Sequence, residues 1–350
     1  MQKIPIETFL QKASSLPIID VRTSDEFTKG HIPGACNIPL FSNDERAIVG
    51  TKYKQENRES AFREGIHLIA AKIDFYLSEL EKLHLSSREI LLHCWRGGMR
   101  SEGMANLFRS IGYKVHLLEG GYKSFRRTVL KSFEKSYNFI IIGGMTGSGK
   151  SDVLREISKK DEQIIDLEGI ANHKGSAFGA LGQPAQPTVE QFENELFGEL
   201  NKLDPAERIW LEDESQLIGK VRIPKPFFLQ MRNADVYKLE LSKELRIKRL
   251  MQEYTNFNKD KIIFSIHNIA KRLGGLAFQK AVESVQKNDF HTAIDIVLSY
   301  YDKTYSYGIS KRKDQTIIPV KIEEDNPPKT AKILLQKINS RIPRKIFIFQ

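Results

Sequence analysis

Residues 138–158 read NFIIIGGMTGSGKSDVLREIS: an apolar run, a glycine-rich turn and a segment with helical periodicity. Strand, glycine turn and helix in that order are the unit from which parallel α/β sheets are built. Inside the stretch, GMTGSGKS fits the spacing G-x-x-x-x-G-K-[ST], with Gly144, Gly149, Lys150 and Ser151 at the defining places and Met145, Thr146, Gly147 and Ser148 between them. Glycines there let backbone N–H groups turn inward on phosphate oxygens, and the following helix offers its positive end. Lys150 is expected to reach phosphate, and Ser151 to ligate a magnesium ion.

Toward the C-terminus three more strands are expected, at QIIDLE (163–168), RIWLED (208–213) and ADVYKLEL (234–241). RIWLEDES ends in three acidic residues, where such folds keep the carboxylate that orients magnesium; Asp213 is the first candidate and Glu212 the second. Asp166 and Glu168 end another strand and would face the same crevice in a parallel sheet. A basic helix, SKELRIKRLMQEY (242–254), follows, and the chain reads as mostly helical to about 288. The stretch 317–350 receives no assignment.

Toward the N-terminus the alternation of strands and helices continues. LPIIDVR (16–22), EILLHC (89–94) and YKVHLLEG (113–120) read as strands, with an amphipathic helix over 66–84 and a basic connecting helix within 122–135. Between the second and third strands lies HCWRGGMRS (93–101), which holds one of the chain's two cysteines. Cys94 closes a strand before the loop Trp95, Arg96, Gly97, Gly98, Met99 and Arg100, with a helix beyond. A thiol flanked by two arginines at a helix N-terminus is expected to ionise readily and act as a nucleophile in an anion pocket. Cys36 reads as a small buried hydrophobe, and His93, pointing to the other face of its strand, as structural.

Two chemistries use such a loop: a sulfurtransferase holds a persulfide there, and a cysteine phosphatase with H-C-x5-R-[ST] holds a phosphate. The spacing fits the second and is one residue longer than the usual first, giving a wider pocket.

The 350 residues carry a net charge of +10 and a pI near 9.3, which favours a polyanionic partner or phosphorylated substrates. MQKIPIETFLQKASSL lacks the apolar core of a secretory signal, and no run of 18 apolar residues occurs. Two cysteines make neither a disulfide framework nor a metal site, so a reducing cytoplasm is the expected location.

The first 126 residues resemble the rhodanese family through IIDVRTSDEF, KGHIPGACNIPL, the cysteine loop and VHLLEGGY, with Asp20, Arg22, His31 and Gly34 in framework positions. IIDLEGIANHKGSAFG (164–179), QPTVEQFEN (186–194), WLEDESQLIGKVRIP (210–224) and SYYDKTYSYG (299–308) resemble segments of the tRNA 2-selenouridine synthase family. The resemblance implies an α/β protein: a rhodanese-like parallel-sheet domain over 1–126, a connecting helix over 127–136, a P-loop NTPase-like parallel-sheet domain over 137–241, and a mainly helical, RNA-contacting region over 242–350. It also implies replacement of sulfur by selenium at the wobble 2-thiouridine of tRNA, through an S-geranyl intermediate. Selenophosphate and geranyl diphosphate would be co-substrates, with no tightly bound cofactor beyond a possible magnesium ion held by Ser151 and Asp213. The loop at Lys150 would hold the diphosphate, Cys94 would carry selenium or act as nucleophile, and Arg246, Lys248, Arg249, Lys271 and Arg272 would contact tRNA. An enzyme supplying selenophosphate is a further expected partner, and no membrane is. The runner-up is a cysteine phosphatase fused to a kinase-like domain; a third reading is a nucleotide-dependent RNA-binding regulator whose rhodanese part is inert.

Overall fold

The structure, a computed structural model, describes residues 2–83, 87–312 and 316–341. The chain divides into two units, Met1–Ser132 with Glu193–Gly198, and Phe133–Phe192 with Glu199–Gln350.

In the first unit five strands, β1 (Gln2–Ile4), β2 (Ile18–Asp20), β3 (Cys36–Asn37), β4 (Glu89–His93) and β5 (Lys114–Leu118), form a wholly parallel sheet in the order β1-β5-β4-β2-β3. The apolar runs are continuous rather than alternating because both faces are covered, as parallel sheets require. Ile19, Leu92, Phe108, Val115, Leu117 and Tyr76 meet in its core. Two short strands, β1 and β3, were not expected; each lies at an edge, where two or three residues carry no periodicity. The helix expected over 66–84 is two helices, Arg58–Ala70 and Ile73–Glu81, and His84 lies outside the described residues. Lys72 sits at the break, its ammonium held by Glu45 and by the carbonyl of Leu40 at 3.2 Å.

The second unit has its own parallel sheet, made of β6 (Asn138–Gly144), β7 (Gln163–Ile165), β8 (Arg208–Glu212), β11 (Asp235–Glu240) and β12 (Ile317–Lys321), in the order β12-β11-β6-β8-β7. Between β8 and β11 lies a small antiparallel ribbon, β9 (Leu217–Ile218) and β10 (Val221–Arg222). The helix Lys150–Ser158 turns Val153, Leu154 and Ile157 onto the sheet. Truncating one such side chain to alanine typically costs roughly 2–5 kcal/mol.

The segment that the sequence left unassigned returns to this core. β12 pairs with β11, and the helix Pro327–Asn339 packs Ala331, Leu334 and Ile338 into the same cluster. The C-terminal region is therefore not only helical.

A second apolar cluster in this unit joins helices Lys243–Tyr254, Lys259–His267, Gly275–Gln286 and Phe290–Ser310 through Ile247, Leu250, Ile262, Ile266, Val285 and Val297. No helix among the described residues is long and apolar enough to cross a membrane.

Candidate functional site

The two loops singled out in the sequence each leave the C-terminal end of their sheet's middle strand. That is the place where parallel α/β sheets put ligand crevices.

Cys94 follows β4 and is buried, with Sγ 3.2 Å from the Ser101 hydroxyl. The same hydroxyl donates to the Gly98 carbonyl at 2.9 Å, tying the thiol to the first turn of the helix Met99–Ser110. The loop is held from behind by the helix Gly121–Ser132, whose Tyr122 and Lys123 N–H groups donate to the carbonyls of Cys94 and Trp95 at 2.8 and 3.0 Å. Gly121 is obligatory for that approach: its φ is +59°, and a Cβ there would strike the Cys94 carbonyl and lie 2.5 Å from the Gly97 nitrogen. Gly97, at φ +66°, faces the Leu118 carbonyl as tightly.

Of the remaining loop residues, Trp95, Arg96 and Met99 are exposed and Gly98 half-buried. Arg100 does not stand free over the loop. Its guanidinium lies 2.7 Å from Glu26, whose carboxylate also accepts the Thr23 N–H in the capping box of the helix Ser24–Lys29. Burial pushes the Glu26 carboxyl up, but Arg100 and Thr23 outweigh it and hold its pKa below the ordinary value. Beneath the loop Arg22 pairs with Asp20, stacks 3.7 Å over the Tyr122 ring and donates to the Gly30 carbonyl. His93 is fully buried beside Asp20, and desolvation lowers its pKa, so it is a neutral packing group.

The second loop follows β6. Gly149, at φ +78°, is the N-cap of the helix Lys150–Ser158, so the first-turn N–H groups of Lys150 and Ser151 have no helical partner and face the loop. The Gly144 N–H donates to the Tyr305 hydroxyl at 2.8 Å, and the buried Ser148 hydroxyl has no partner among the described residues. Gly147 packs against Leu250, and Met145 accepts the Ser148 N–H. The Thr146 carbonyl takes a hydrogen bond from Arg246 at 3.1 Å. A cleft of about 1070 Å³ opens over the loop, lined by Lys150, Ser151, Glu168, Asp213 and Glu214 among others.

Lys150 sits in an acidic surround. Burial disfavours its charge, but Glu214, Glu168, Glu212 and Asp213 more than compensate, and its pKa lies above the ordinary lysine value. Desolvation likewise raises Glu168, Glu212 and Glu214. Glu212 is fully buried and is pushed up to about 8 by burial and by Glu168 and Asp166, with Ser151 and Lys150 opposing the rise. Its protonated form is the one the fold favours.

The stability consequence has a definite sign. A carboxyl that holds its proton more tightly when folded contributes stability at low pH that is lost as pH rises from the ordinary 4.5 toward 8. Urea melts of the wild-type chain are expected to show declining stability across that window, and Glu212→Gln to flatten the decline. An unchanged pH slope in the variant would contradict the assignment.

Ser151 and Asp213, the pair expected around magnesium, both line the cleft, each engaged with a neighbouring side chain. Ser151 donates to Glu168 at 2.8 Å, whereas Asp213 is held by Arg232 at 3.3 Å and by Arg312. Asp166 is occupied as the N-cap of the helix Leu167–Ala171, accepting the Gly169 N–H at 2.7 Å. Among the described residues no group of three metal-ligating side chains is brought together.

The tRNA-facing assignments need correction at two residues. The Arg246 side chain is 4% exposed and donates two hydrogen bonds to the Asp302 carboxylate, each at 2.8 Å, besides its bond to the Thr146 carbonyl. Arg249 is enclosed by Asp152, Asp325 and Glu253 and lies against Gly149. Both brace the loop over 144–151 rather than face solvent. Lys248, Lys271 and Arg272 are exposed, and Arg272 also lines the cleft.

Tyr305, Asp302, Arg232 and Arg312 were not anticipated. Tyr305 and Asp302 stand in SYYDKTYSYG, so a largely apolar helix whose two aspartates, Asp295 and Asp302, meet a basic helix was the available signal. Arg232 and Arg312 gave none.

The fold and these loops define a class: a rhodanese-like domain followed by a P-loop domain with a helical C-terminal part. A rhodanese-like domain model matches residues 7–128, and the model of the tRNA 2-selenouridine synthase AAA domain matches residues 137–326. The tRNA 2-selenouridine synthase of Shewanella denitrificans is 34% identical over 337 residues, covering 86% of this chain and 90% of its own. That of Nitrosomonas europaea is 31% identical over 349 residues, covering 85% and 90%. The chain belongs to the tRNA 2-selenouridine synthase family. Among solved structures, the N-terminal domain of a putative ATP/GTP binding protein from Clostridium difficile 630 is 40% identical, covering 37% of this chain and 99% of that one, with a TM-score of 0.35.

Proposed function

We propose that this chain is a tRNA-modifying enzyme that replaces the sulfur of wobble 2-thiouridine with selenium, using geranyl diphosphate and then selenophosphate. Family membership supports the tRNA reaction. For the prenyl donor, the observation that carries the reading is an apolar cavity that adjoins the phosphate cleft. It is lined by Phe178, Ile262, Ile266, Val285, Phe290 and Val297, and it shares a rim of Thr146, Ser176, Leu250, Tyr254 and Tyr301 with the cleft.

A phosphate cradle opening onto a hydrocarbon-lined recess suits a ligand with a diphosphate head and an apolar tail better than a nucleotide. The cavity measures about 30 Å³, so a ten-carbon chain enters only as the lining side chains rotate apart. In the first step the C1–O bond of the donor breaks, an S–C1 bond forms, diphosphate leaves with the electron pair and the base loses its N3 proton to solvent. Lys150 and the N-terminus of its helix would hold the departing charge.

In the second step the loop from Cys94 to Arg100 would take up selenophosphate, and the Cys94 thiolate would attack phosphorus, an S–P bond forming as the P–Se bond breaks. The selenide released forms the C–Se bond at C2 as the prenyl thiol departs, and water cleaves the S–P bond to release phosphate. Lys248, Lys271 and Arg272 would meet the tRNA backbone. Both cysteines are free thiols, which suits a reducing cytoplasm.

The test is nucleoside mass spectrometry of 2-thiouridine tRNA incubated with the purified chain, first with geranyl diphosphate and then with selenophosphate. Successive appearance of the S-geranyl and seleno nucleosides is expected. An unchanged nucleoside under both conditions would refute the assignment.

A further inference from the structure

We propose that Arg312, together with Arg232, clamps the diphosphate end of the ligand in the Lys150 cleft, and that Asp213 is the bracket that orients these two arginines. The inference rests on the reading of that cleft as a diphosphate site and adds to it the groups that bind the far phosphate.

Three observations converge. Arg232, Arg312 and Asp213 all line the same cleft as Gly144, Lys150 and Ser151. The Arg312 side chain is only 6% exposed, yet it spends a single N–H, from Nη2, on Asp213 Oδ1, while its Nε and Nη1 have no partner among the described residues. Arg232, with a side chain 31% exposed, reaches the same Asp213 oxygen at 3.3 Å.

A guanidinium that is removed from water keeps its donors paired wherever it can, because an unpaired buried N–H forfeits its hydration for nothing. In Arg312 the unpaired donors belong to a group lining a phosphate cleft. A planar fork of N–H donors matches the oxygens of a phosphoryl group. Its arrangement by a neighbouring carboxylate is what keeps such a fork aimed before the ligand arrives.

The acidic surround of Lys150 strengthens the case. Glu168 and Glu214 border the cleft and offset the Lys150 ammonium, and Arg155, Lys174 and Arg249, which also line it, are paired with carboxylates. Two further cations, held on the β8 side by Asp213, redress the balance. They enter from elements far along the chain: Arg232 from the helix Lys225–Asn233, and Arg312 from just beyond the helix Phe290–Ser310.

Titration calorimetry on the full chain with inorganic pyrophosphate reads the proposal directly, with tRNA affinity measured in parallel. Arg312→Met is expected to weaken pyrophosphate binding by about tenfold or more, leaving tRNA affinity within about twofold because many contacts share that load. Arg312→Lys should recover only part of the loss, since a point charge lacks the fork. Should Arg312→Met fail to fold, the lysine variant and the more exposed Arg232→Met carry the same reading. Unchanged pyrophosphate affinity in the folded arginine variants, with a loss in Lys150→Ala, would overturn the clamp and leave the cleft as a diphosphate site. No pyrophosphate binding to the wild-type chain would overturn both.

Discussion

Cys94→Ser is expected to abolish seleno-nucleoside formation, by on the order of 10³-fold or more, while the S-geranyl nucleoside still appears and accumulates. The substitution is nearly isosteric, so the bonds from Tyr122 and Lys123 to the loop carbonyls and the Ser101 contact survive. What changes is the atom: an alcohol oxygen stays protonated near neutral pH and is a far weaker nucleophile than a thiolate. Mass spectrometry of the reacted tRNA separates the two products in one experiment. Wild-type selenium incorporation in the serine variant would remove the loop from the chemistry and leave it a structural remnant. A loss of both products at once would mean that the two steps share the thiol.

Lys150→Ala is expected to have the complementary effect. Geranyl transfer should fall by roughly 10²–10³-fold, the usual consequence of removing one charged donor aimed at a leaving group, whereas tRNA binding changes little. The variant also strips the three raised carboxyls Glu168, Glu212 and Glu214 of their shared counter-charge. Their protons should therefore bind more tightly still, and melting temperature should be followed alongside activity, with Lys150→Arg as a charge-preserving companion. If tRNA affinity falls in step with transfer, the lysine contacts RNA and the division of labour fails.

The contiguous parts of this protein were legible. GMTGSGKS and HCWRGGMRS each hold their loop within nine residues or fewer, and the buried strands around them run long enough to show an apolar pattern. Three of the edge strands of the two five-stranded sheets were not: β1, β3 and β12 gain their strand character from pairing with β5, β2 and β11, whereas β7 was expected within QIIDLE. The partners of the glycine-rich loop were also hidden, since Tyr305 reaches Gly144 across 161 residues of sequence.

Arg246 shows a different failure. Its charge suggested a solvent face, yet it lies one helical turn before Leu250, which lies one turn before Tyr254, and all three are buried together. The four-residue stripe was in the sequence and the charge obscured it. For the cysteine loop, spacing alone did not separate a phosphatase from a sulfur or selenium handler; the family was legible only from segments spread along both units.

β4 lies third of five in its sheet and β6 third of five in the other, so each candidate loop grows from the strand farthest from both edges. Such strands are the last to open in local unfolding, and the edges are the first. The floor beneath each loop is thus the most persistent part of its unit through any breathing of the molecule. Whatever must yield to admit a nucleotide of RNA or a hydrocarbon chain has to be found among the surrounding helices.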